Sequence, residues 1–161
     1  MKTLLACRHA LALEGFRGSD FERPLGARGV TDCINTGKLL HSRGTKPCSI
    51  LTSSAFRART TAHLIAGQLS FNESKIIEEE SWYLAPADTW LRTIQKLPED
   101  TETTLIFGHN PGMADFVHRI QRTPDYISFP PLSIAVIRFN LDHWGEADWG
   151  TGQLIEHLTP T

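Results

Sequence analysis

The chain has 161 residues, of which 40% are hydrophobic, enough for one well-buried core and short for two. We therefore expect a single domain over residues 1–161. A net charge of −2 and a pI of about 6.4 exclude a broad basic surface that would hold nucleic acid or an anionic membrane through its bulk field. Any anion site must be local, and we expect neither nucleic acid nor membrane as a partner.

The N-terminal stretch resembles the start of a signal peptide, but its apolar run lasts only from Leu4 to Cys7. A secretory signal needs about 7 to 15 apolar residues, and no stretch approaches the length of a membrane span. The three cysteines, Cys7, Cys33 and Cys48, are an odd number without the spacing of paired metal ligands. That usage fits a reducing compartment, so we expect a cytoplasmic protein.

The first half of the chain alternates short apolar runs with helical patterns. Leu4–Cys7 predicts a strand, and after a polar loop the three-and-four spacing of apolar residues predicts a helix over Gly26–Leu40. Ser49–Thr52 predicts a second strand, which is followed by a helix with apolar positions from Ala58 to Leu69. A third strand is expected within Lys75–Glu79.

The second half continues the alternation of strands and helices and then ends in two strands without a helix between them. The pattern predicts a helix over Pro86–Leu97, a strand over Thr103–Gly108 and a helix from Met113 to Ile120. The last two strands, Ser133–Phe139 and Gly152–Leu158, have no helix between them and are expected to be antiparallel. The predicted fold class is α/β, a three-layer α/β/α sandwich with a mostly parallel mixed sheet of about six strands.

Polar side chains follow the ends of three of these strands. His9 and His109 each end a strand, and Arg57 lies one turn after another. If these strands are neighbours, Arg8, His9, Arg57 and His109 converge at one edge of the sheet, where ligands of open α/β folds bind. Arginine forks match phosphate oxygens, and a neutral imidazole can attack phosphorus. The cluster indicates a phosphate site, although an Arg-His pair after an apolar run also fits a strand that simply leaves the core.

Four motifs, in the same order and at matching separations, resemble the histidine phosphatase superfamily, the phosphoglycerate-mutase-like fold. They are Cys7-Arg8-His9-Ala10, then Arg23-Pro24-Leu25 with Arg28-Gly29, then Ser53-Ser54-Ala55-Phe56-Arg57-Ala58-Arg59-Thr60-Thr61, and Gly108-His109-Asn110-Pro111. The short length points to the SixA-like phosphohistidine phosphatase branch. The resemblance implies a metal-independent phosphatase that acts through a phosphohistidine intermediate and uses no cofactor.

The same resemblance implies a role for each matching residue. His9 is the expected nucleophile, which becomes phosphorylated. Arg8, Arg57 and His109 are the expected catalytic partners, which stabilise charge on the equatorial oxygens of the phosphoryl group. Arg23, in the Arg-Pro-Leu turn, is an expected substrate-binding residue that closes the pocket.

The chain departs from the family pattern at two points. Ala10 stands where the commonest motif has glycine. The general acid is less well defined: superfamily members have a glutamate after the third strand, and Glu80 is the candidate here, with Glu78 and Glu79 close enough to leave the register open. Arg59, two residues after Arg57 on a helix, is expected to face away as a solvated or ion-paired residue.

The expected substrate follows from the short interval Ser81–Glu102, which has room for only a loop and one helix. Many superfamily members carry a capping insertion there, so an open site is expected. An open pocket favours phosphohistidine on a protein, such as a phosphohistidine domain, over a small phosphorylated molecule. A small-molecule phosphomonoesterase and a non-catalytic phosphate-recognition module remain the alternatives. The aromatic residues expected to border the opening are Phe16, Phe21, Trp82 and Tyr83.

Other enzyme classes fit the sequence poorly. A cysteine phosphatase needs an arginine six residues after its cysteine, where this chain has Leu13, Leu39 and Ser54. No phosphate-binding loop of the Gly-x-x-x-x-Gly-Lys type is present. A metal hydrolase built on His9 and His109 would need further ligands, and the neighbouring arginines would repel a cation. We expect no metal site.

Overall fold

The computed structural model describes all residues, 1–161, as one six-stranded sheet with helices on both faces. None of the helices is long and apolar enough to cross a membrane. The strands are β1 (Lys2–Arg8), β2 (Ser49–Ser53), β3 (Ile77–Glu79), β4 (Thr103–Gly108), β5 (Ile134–Phe139) and β6 (Gly152–Leu158). The helices are α1 (Ala27–Ser42), α2 (Phe56–Gln68), α3 (Ala87–Gln95) and α4 (Gly112–Ile120).

The strand order across the sheet is β3-β2-β4-β1-β5-β6. The first four strands are parallel, whereas β5 pairs antiparallel with β1, and β6 pairs antiparallel with β5. In register, Arg8 at the end of β1 lies opposite Gly108 at the end of β4. The predicted α/β class and mixed sheet are therefore confirmed. The carboxyl ends of β1, β2 and β4 meet at one edge of the sheet. The residues that follow these strands, His9, Arg57 and His109, are therefore brought to the same edge, as predicted.

Two hydrophobic cores cover the two faces of the sheet. Along β1, Leu4 and Ala6 belong to the core under α3 and α4, while Leu5 and Cys7 belong to the core under α1 and α2. Successive strand residues point to opposite faces of the sheet, so the sequence of a strand that is covered on both sides is one continuous apolar run. This burial fixes the end of β1, and with it the position of the next residue, His9.

Several predicted boundaries differ from the structure by one or two residues, and two of them have a clear physical cause. The edge strand β3 fills only the last three residues of the range Lys75–Glu79 in which it was expected, because the 3-10 helix Glu73–Lys75 comes just before it. Helix α3 ends at Gln95 rather than Leu97, since Pro98 disfavours helical backbone at the residue before it. Neither change moves the carboxyl edge of the sheet.

Candidate active site

His9 follows directly after β1, at the carboxyl edge of the sheet. Its backbone N–H donates to the Gly108 carbonyl over 3.1 Å, and its carbonyl accepts the Leu132 N–H over 2.9 Å. The ring is buried, and its Nδ1 lies 2.7 Å from the Ala10 carbonyl oxygen. A carbonyl oxygen can only accept, so Nδ1 carries the ring hydrogen and Nε2 keeps an unshared electron pair.

Arg57 lies in the first turn of α2, with its side chain only 3% exposed. Its Nε donates to His9 Nε2 over a long 3.4 Å, while Nη1 and Nη2 donate to the backbone carbonyl and Oδ2 of Asp20 over 2.6 and 2.9 Å. Thr61 ties this turn to β1: its hydroxyl donates to the Arg57 carbonyl over 2.7 Å and accepts the Ala10 N–H over 3.0 Å. The structure thus brings Arg57 to His9.

His109 and Arg8 complete the cluster and leave two nitrogens without partners. His109 directly follows β4, and its ring centroid lies 5.2 Å from that of His9. Its Nε2 is 2.8 Å from the Ser53 hydroxyl, whereas its buried Nδ1 has no partner. Arg8 donates from Nη1 to the Phe129 carbonyl over 3.2 Å, but its buried Nε is also unpartnered. Buried polar nitrogens are costly when unpaired. Arg8 Nε can only donate, and His109 Nδ1 donates in the tautomer whose Nε2 accepts from Ser53, so in that tautomer both nitrogens favour a ligand that supplies acceptor oxygens.

Burial lowers the pKa of both histidines. The pKa of His9 falls to about 4, mainly because the ring is removed from water and also because Arg57 and Arg8 repel a positive charge there. The pKa of His109 falls to about 3, again chiefly through burial, with His9 and Arg57 as further causes. Both imidazoles are therefore neutral at pH 7, and the electron pair of His9 Nε2 is available.

Asp20 is the site residue that sequence reasoning missed. It begins a short 3-10 helix, Asp20–Glu22, in the loop after β1, and its side chain is half exposed. Its Oδ2 accepts hydrogen bonds from Tyr83 Oη and from Arg57. The bond from Tyr83 is the main cause that holds the pKa of Asp20 at about 2, with Arg57 and Arg23 adding to it. The one signal in the sequence was its spacing of three residues from Arg23, which permits an ion pair.

Arg23 was predicted to bind substrate and Glu80 to be the general acid, and the two lie in different surroundings. Arg23 joins the cluster through Asp20, because its Nε and Nη2 both lie 3.2 Å from Asp20 Oδ1. Glu80 starts the 3-10 helix Glu80–Trp82 and is exposed, and no hydrogen bond or ion pair links its carboxylate to the cluster. The carboxylate in contact with the arginines is that of Asp20, so a general-acid role for Glu80 stays a prediction.

The aromatic residues expected at the opening divide into two groups. The Tyr83 ring lies edge-on to His109, with centroids 5.3 Å apart, and edge-on to Phe21, with centroids 5.0 Å apart. Trp82 instead is buried in the core, where its ring lies 5.5 Å from that of Trp90. The expectation that Trp82 borders the opening is wrong, because the turn that places Tyr83 over the site directs its neighbour inward.

The charged groups around His9 define the kind of ligand that the site can hold. No group of three or more histidine, cysteine, aspartate or glutamate side chains is arranged to hold a metal ion. The cluster contains three arginines, Arg8, Arg23 and Arg57, and Asp20 is the carboxylate bonded among them. Such a set of donors suits an oxyanion with several acceptor oxygens.

Acid is expected to destabilise the protein through the two histidines. Their folded pKa values, about 4 and about 3, lie below the ordinary 6.5, so the unfolded chain binds protons first as the pH falls. Their contribution to stability is complete above pH 6.5 and is lost as the pH falls from 6.5 towards 4, at a cost on the order of a few kcal/mol. Urea unfolding across that range measures it. His9→Gln and His109→Gln should each reduce the loss, and an undiminished loss in both would contradict the assignment.

Removal of the Asp20 charge is expected to strengthen anion binding. In the free protein the Asp20 carboxylate forms an ion pair with Arg57, and its negative charge repels a phosphate that approaches the Arg57 guanidinium. Asp20→Asn keeps the shape and should tighten the binding of inorganic phosphate by about tenfold at low salt, as measured by calorimetry. The matched control is Glu22→Gln, in the same 3-10 helix but without a bond to Arg57. Equal affinities in wild type and Asp20→Asn would show that the carboxylate does not compete.

Comparison with known proteins gives the class of the fold. No protein-family model matches the chain. The six-stranded mixed sheet with four helices is an α/β fold that matches SixA structures and a phosphoglycerate mutase, as the motifs implied. SixA from Agrobacterium tumefaciens superposes with a TM-score of 0.83 at 24% identity, covering 99% of this chain and 98% of that one. The protein histidine phosphatase SixA in complex with tungstate gives 0.85 at 19% identity, covering 98% and 97%.

Sequence comparison finds a relative of similar length, but its name gives no activity. An uncharacterized protein of Mycobacterium tuberculosis is 27% identical over 163 residues, which cover 95% of this chain and 99% of the relative. The SixA structures match this chain along almost its whole length. The resemblance to the SixA-like branch is therefore confirmed as a likeness of fold.

Proposed function

We propose that the protein is a phosphatase that forms a covalent phosphohistidine at His9 and acts on phosphohistidine carried by a protein. The observation that carries the proposal is the state of His9: because Nδ1 donates to the Ala10 carbonyl, Nε2 carries the electron pair, which accepts a long hydrogen bond of 3.4 Å from Arg57 Nε. This nitrogen stands beside Arg57, and Arg8 Nε and His109 Nδ1 are buried nearby without partners. A phosphoryl group would supply the acceptor oxygens that these nitrogens lack.

The arrangement supports a reaction in two displacements. His9 Nε2 attacks phosphorus, the bond from phosphorus to the substrate nitrogen breaks, and the departing imidazole takes a proton from water at the open site. Arg8, Arg57 and His109 offset the charge on the phosphoryl oxygens during the transfer. Water then attacks the phosphorus on His9. The bond to Nε2 breaks, and because Nδ1 already holds a hydrogen, His9 leaves as neutral imidazole with inorganic phosphate as the product.

The choice of a protein substrate rests on what covers the site. Between β3 and β4 the chain forms one short 3-10 helix and α3, and the buried residues of α3, among them Trp90 and Ile94, pack into the core under the sheet. No domain inserted there covers His9, and Asp20 at the mouth remains half exposed. A pocket open on this scale makes few contacts to a small molecule beyond its phosphate, so recognition would come from the surface of a partner protein.

The test compares turnover of a carrier protein bearing phosphohistidine with turnover of phosphosugars, phosphoglycerates and phosphoserine peptides. We expect the highest kcat/KM for the phosphohistidine protein. Preference for a small phosphorylated metabolite by a hundredfold, about 2.7 kcal/mol, would contradict the protein substrate while leaving the phosphatase intact. Binding of phosphoproteins without turnover of any substrate would instead indicate a phosphate-recognition module.

A further inference from the structure

A cleft of about 500 Å³ lies next to the candidate active site and has no part in the chemistry proposed above. Its lining residues are Phe16, Phe21, Glu22, Ser54, Phe56 and Arg59. Half of this lining is phenylalanine: Phe56 is 40% exposed, and Phe16 and Phe21 are half-buried. Exposed apolar rings gathered in one cleft mark interaction sites on soluble proteins, whereas single exposed rings do not.

The cleft adjoins the phosphate site. The edge of Phe21 meets Tyr83, and Tyr83 in turn meets His109, so one aromatic ring separates the cleft from the histidine pair. The first turn of α2 also serves both places, because Phe56 faces the cleft while the next residue, Arg57, faces His9. A substrate whose phosphoryl group lies at His9 would thus extend its neighbouring residues over the cleft.

Arg59 gives the cleft its charge preference. Its guanidinium carbon lies 5.2 Å from the centre of the Phe56 ring, and no carboxylate lies within ion-pair distance, although Glu22 also lines the cleft. Arg59, expected to be solvated or ion-paired, is therefore half-buried and stacked on Phe56 at the wall of the cleft. Across the cleft and the phosphate site together, the charged side chains are the four arginines Arg8, Arg23, Arg57 and Arg59 and the two carboxylates Asp20 and Glu22. The excess of two positive charges lies at the phosphate site, where a phosphoryl dianion would offset it. Within the cleft Arg59 and Glu22 balance, so the preference for an acidic residue of the substrate rests on Arg59, which has no ion-pair partner.

We propose, on the basis of the function proposed above, that this cleft selects the substrate protein by the residues beside its phosphohistidine. The cleft takes an apolar side chain, leucine or phenylalanine, between the phenylalanine rings. Arg59 pairs with an aspartate or glutamate next to that side chain, stacked on Phe56 as it does so. The substrate class is then a phosphohistidine flanked by one apolar and one acidic residue.

The test uses two chemically phosphorylated peptides of equal length, one with leucine and glutamate beside the phosphohistidine and one with serine and lysine. Wild type should hydrolyse the first with at least about tenfold higher kcat/KM. Arg59→Glu and Phe56→Ser should each remove most of this preference and leave acetyl phosphate, which is too small to reach the cleft, within about twofold of wild type. The matched control is Arg92→Glu on α3, which lines a different cleft and should retain the preference.

A second measurement separates this inference from the proposed function. Affinities of the same two sequences, carrying a non-hydrolysable phosphonate analogue of phosphohistidine, are measured by fluorescence anisotropy. If no substrate is hydrolysed but Arg59→Glu still removes a binding preference for the leucine-glutamate peptide, the phosphatase proposal fails and the cleft assignment holds. If wild type and Arg59→Glu discriminate equally between the peptides, or wild type does not discriminate, the cleft assignment is overturned whatever the turnover.

Discussion

Replacing His9 with alanine is expected to lower hydrolysis of p-nitrophenyl phosphate by at least about a thousandfold, because the variant lacks the nitrogen proposed to accept the phosphoryl group. The buried Nε2 electron pair, fixed by the bond from Nδ1 to Ala10, is lost entirely in the variant. Steady-state kinetics measure the loss. Rapid quenching with a labelled substrate should show a phosphorylated wild-type enzyme and no labelled variant.

The matched control is His41→Ala, an exposed histidine near the end of α1. It should keep full activity, and thermal unfolding should show that both variants are folded. Substantial activity in His9→Ala would place the nucleophile elsewhere. Addition of a chelator to wild type provides a separate check, because loss of activity that zinc or manganese restores would favour a metal hydrolase over the covalent route.

Arg57→Lys is expected to lower kcat/KM for acetyl phosphate by about 10² to 10³, or about 2.7 to 4 kcal/mol of transition-state stabilisation. Arg57 is buried and reaches His9 with one nitrogen while two others point to the mouth of the site. A lysine has a single nitrogen and cannot span these positions. Binding of tungstate, which imitates the phosphoryl group during transfer, should weaken in parallel.

The control for this variant is Arg59→Lys, two residues further along the same helix. Arg59 stacks on Phe56 away from His9, so its replacement should leave acetyl phosphate hydrolysis and tungstate affinity close to wild type. A crystal soaked with tungstate would show directly which side chains surround the anion. Equal losses in the two variants, or an anion remote from His9, would refute the convergence of Arg8, Arg57 and His109 on one site.

Much of the fold was predictable because the physical signals are local. A strand covered on both faces is a continuous apolar run, and the run that ends at Cys7 gave β1 directly. Edge strands carry a weaker signal, since β3 has one neighbour and exposed side chains, and it fills only three of the five residues in its predicted range. Trp82 was misplaced for a related reason, because an aromatic residue after a strand has the same local pattern whether its turn directs it outward or into the core.

The sequence by itself determined the α/β class and the group of residues expected at the site, since His9, Arg57 and His109 each follow a strand and parallel strands end at a shared edge. Only the tertiary structure decided that β1, β2 and β4 are neighbours, because strand order depends on pairings between distant segments. Only it placed Asp20 against Arg57 and formed the cleft around Arg59, since loop side chains have no periodic signal and meet their partners through the packing of the whole fold.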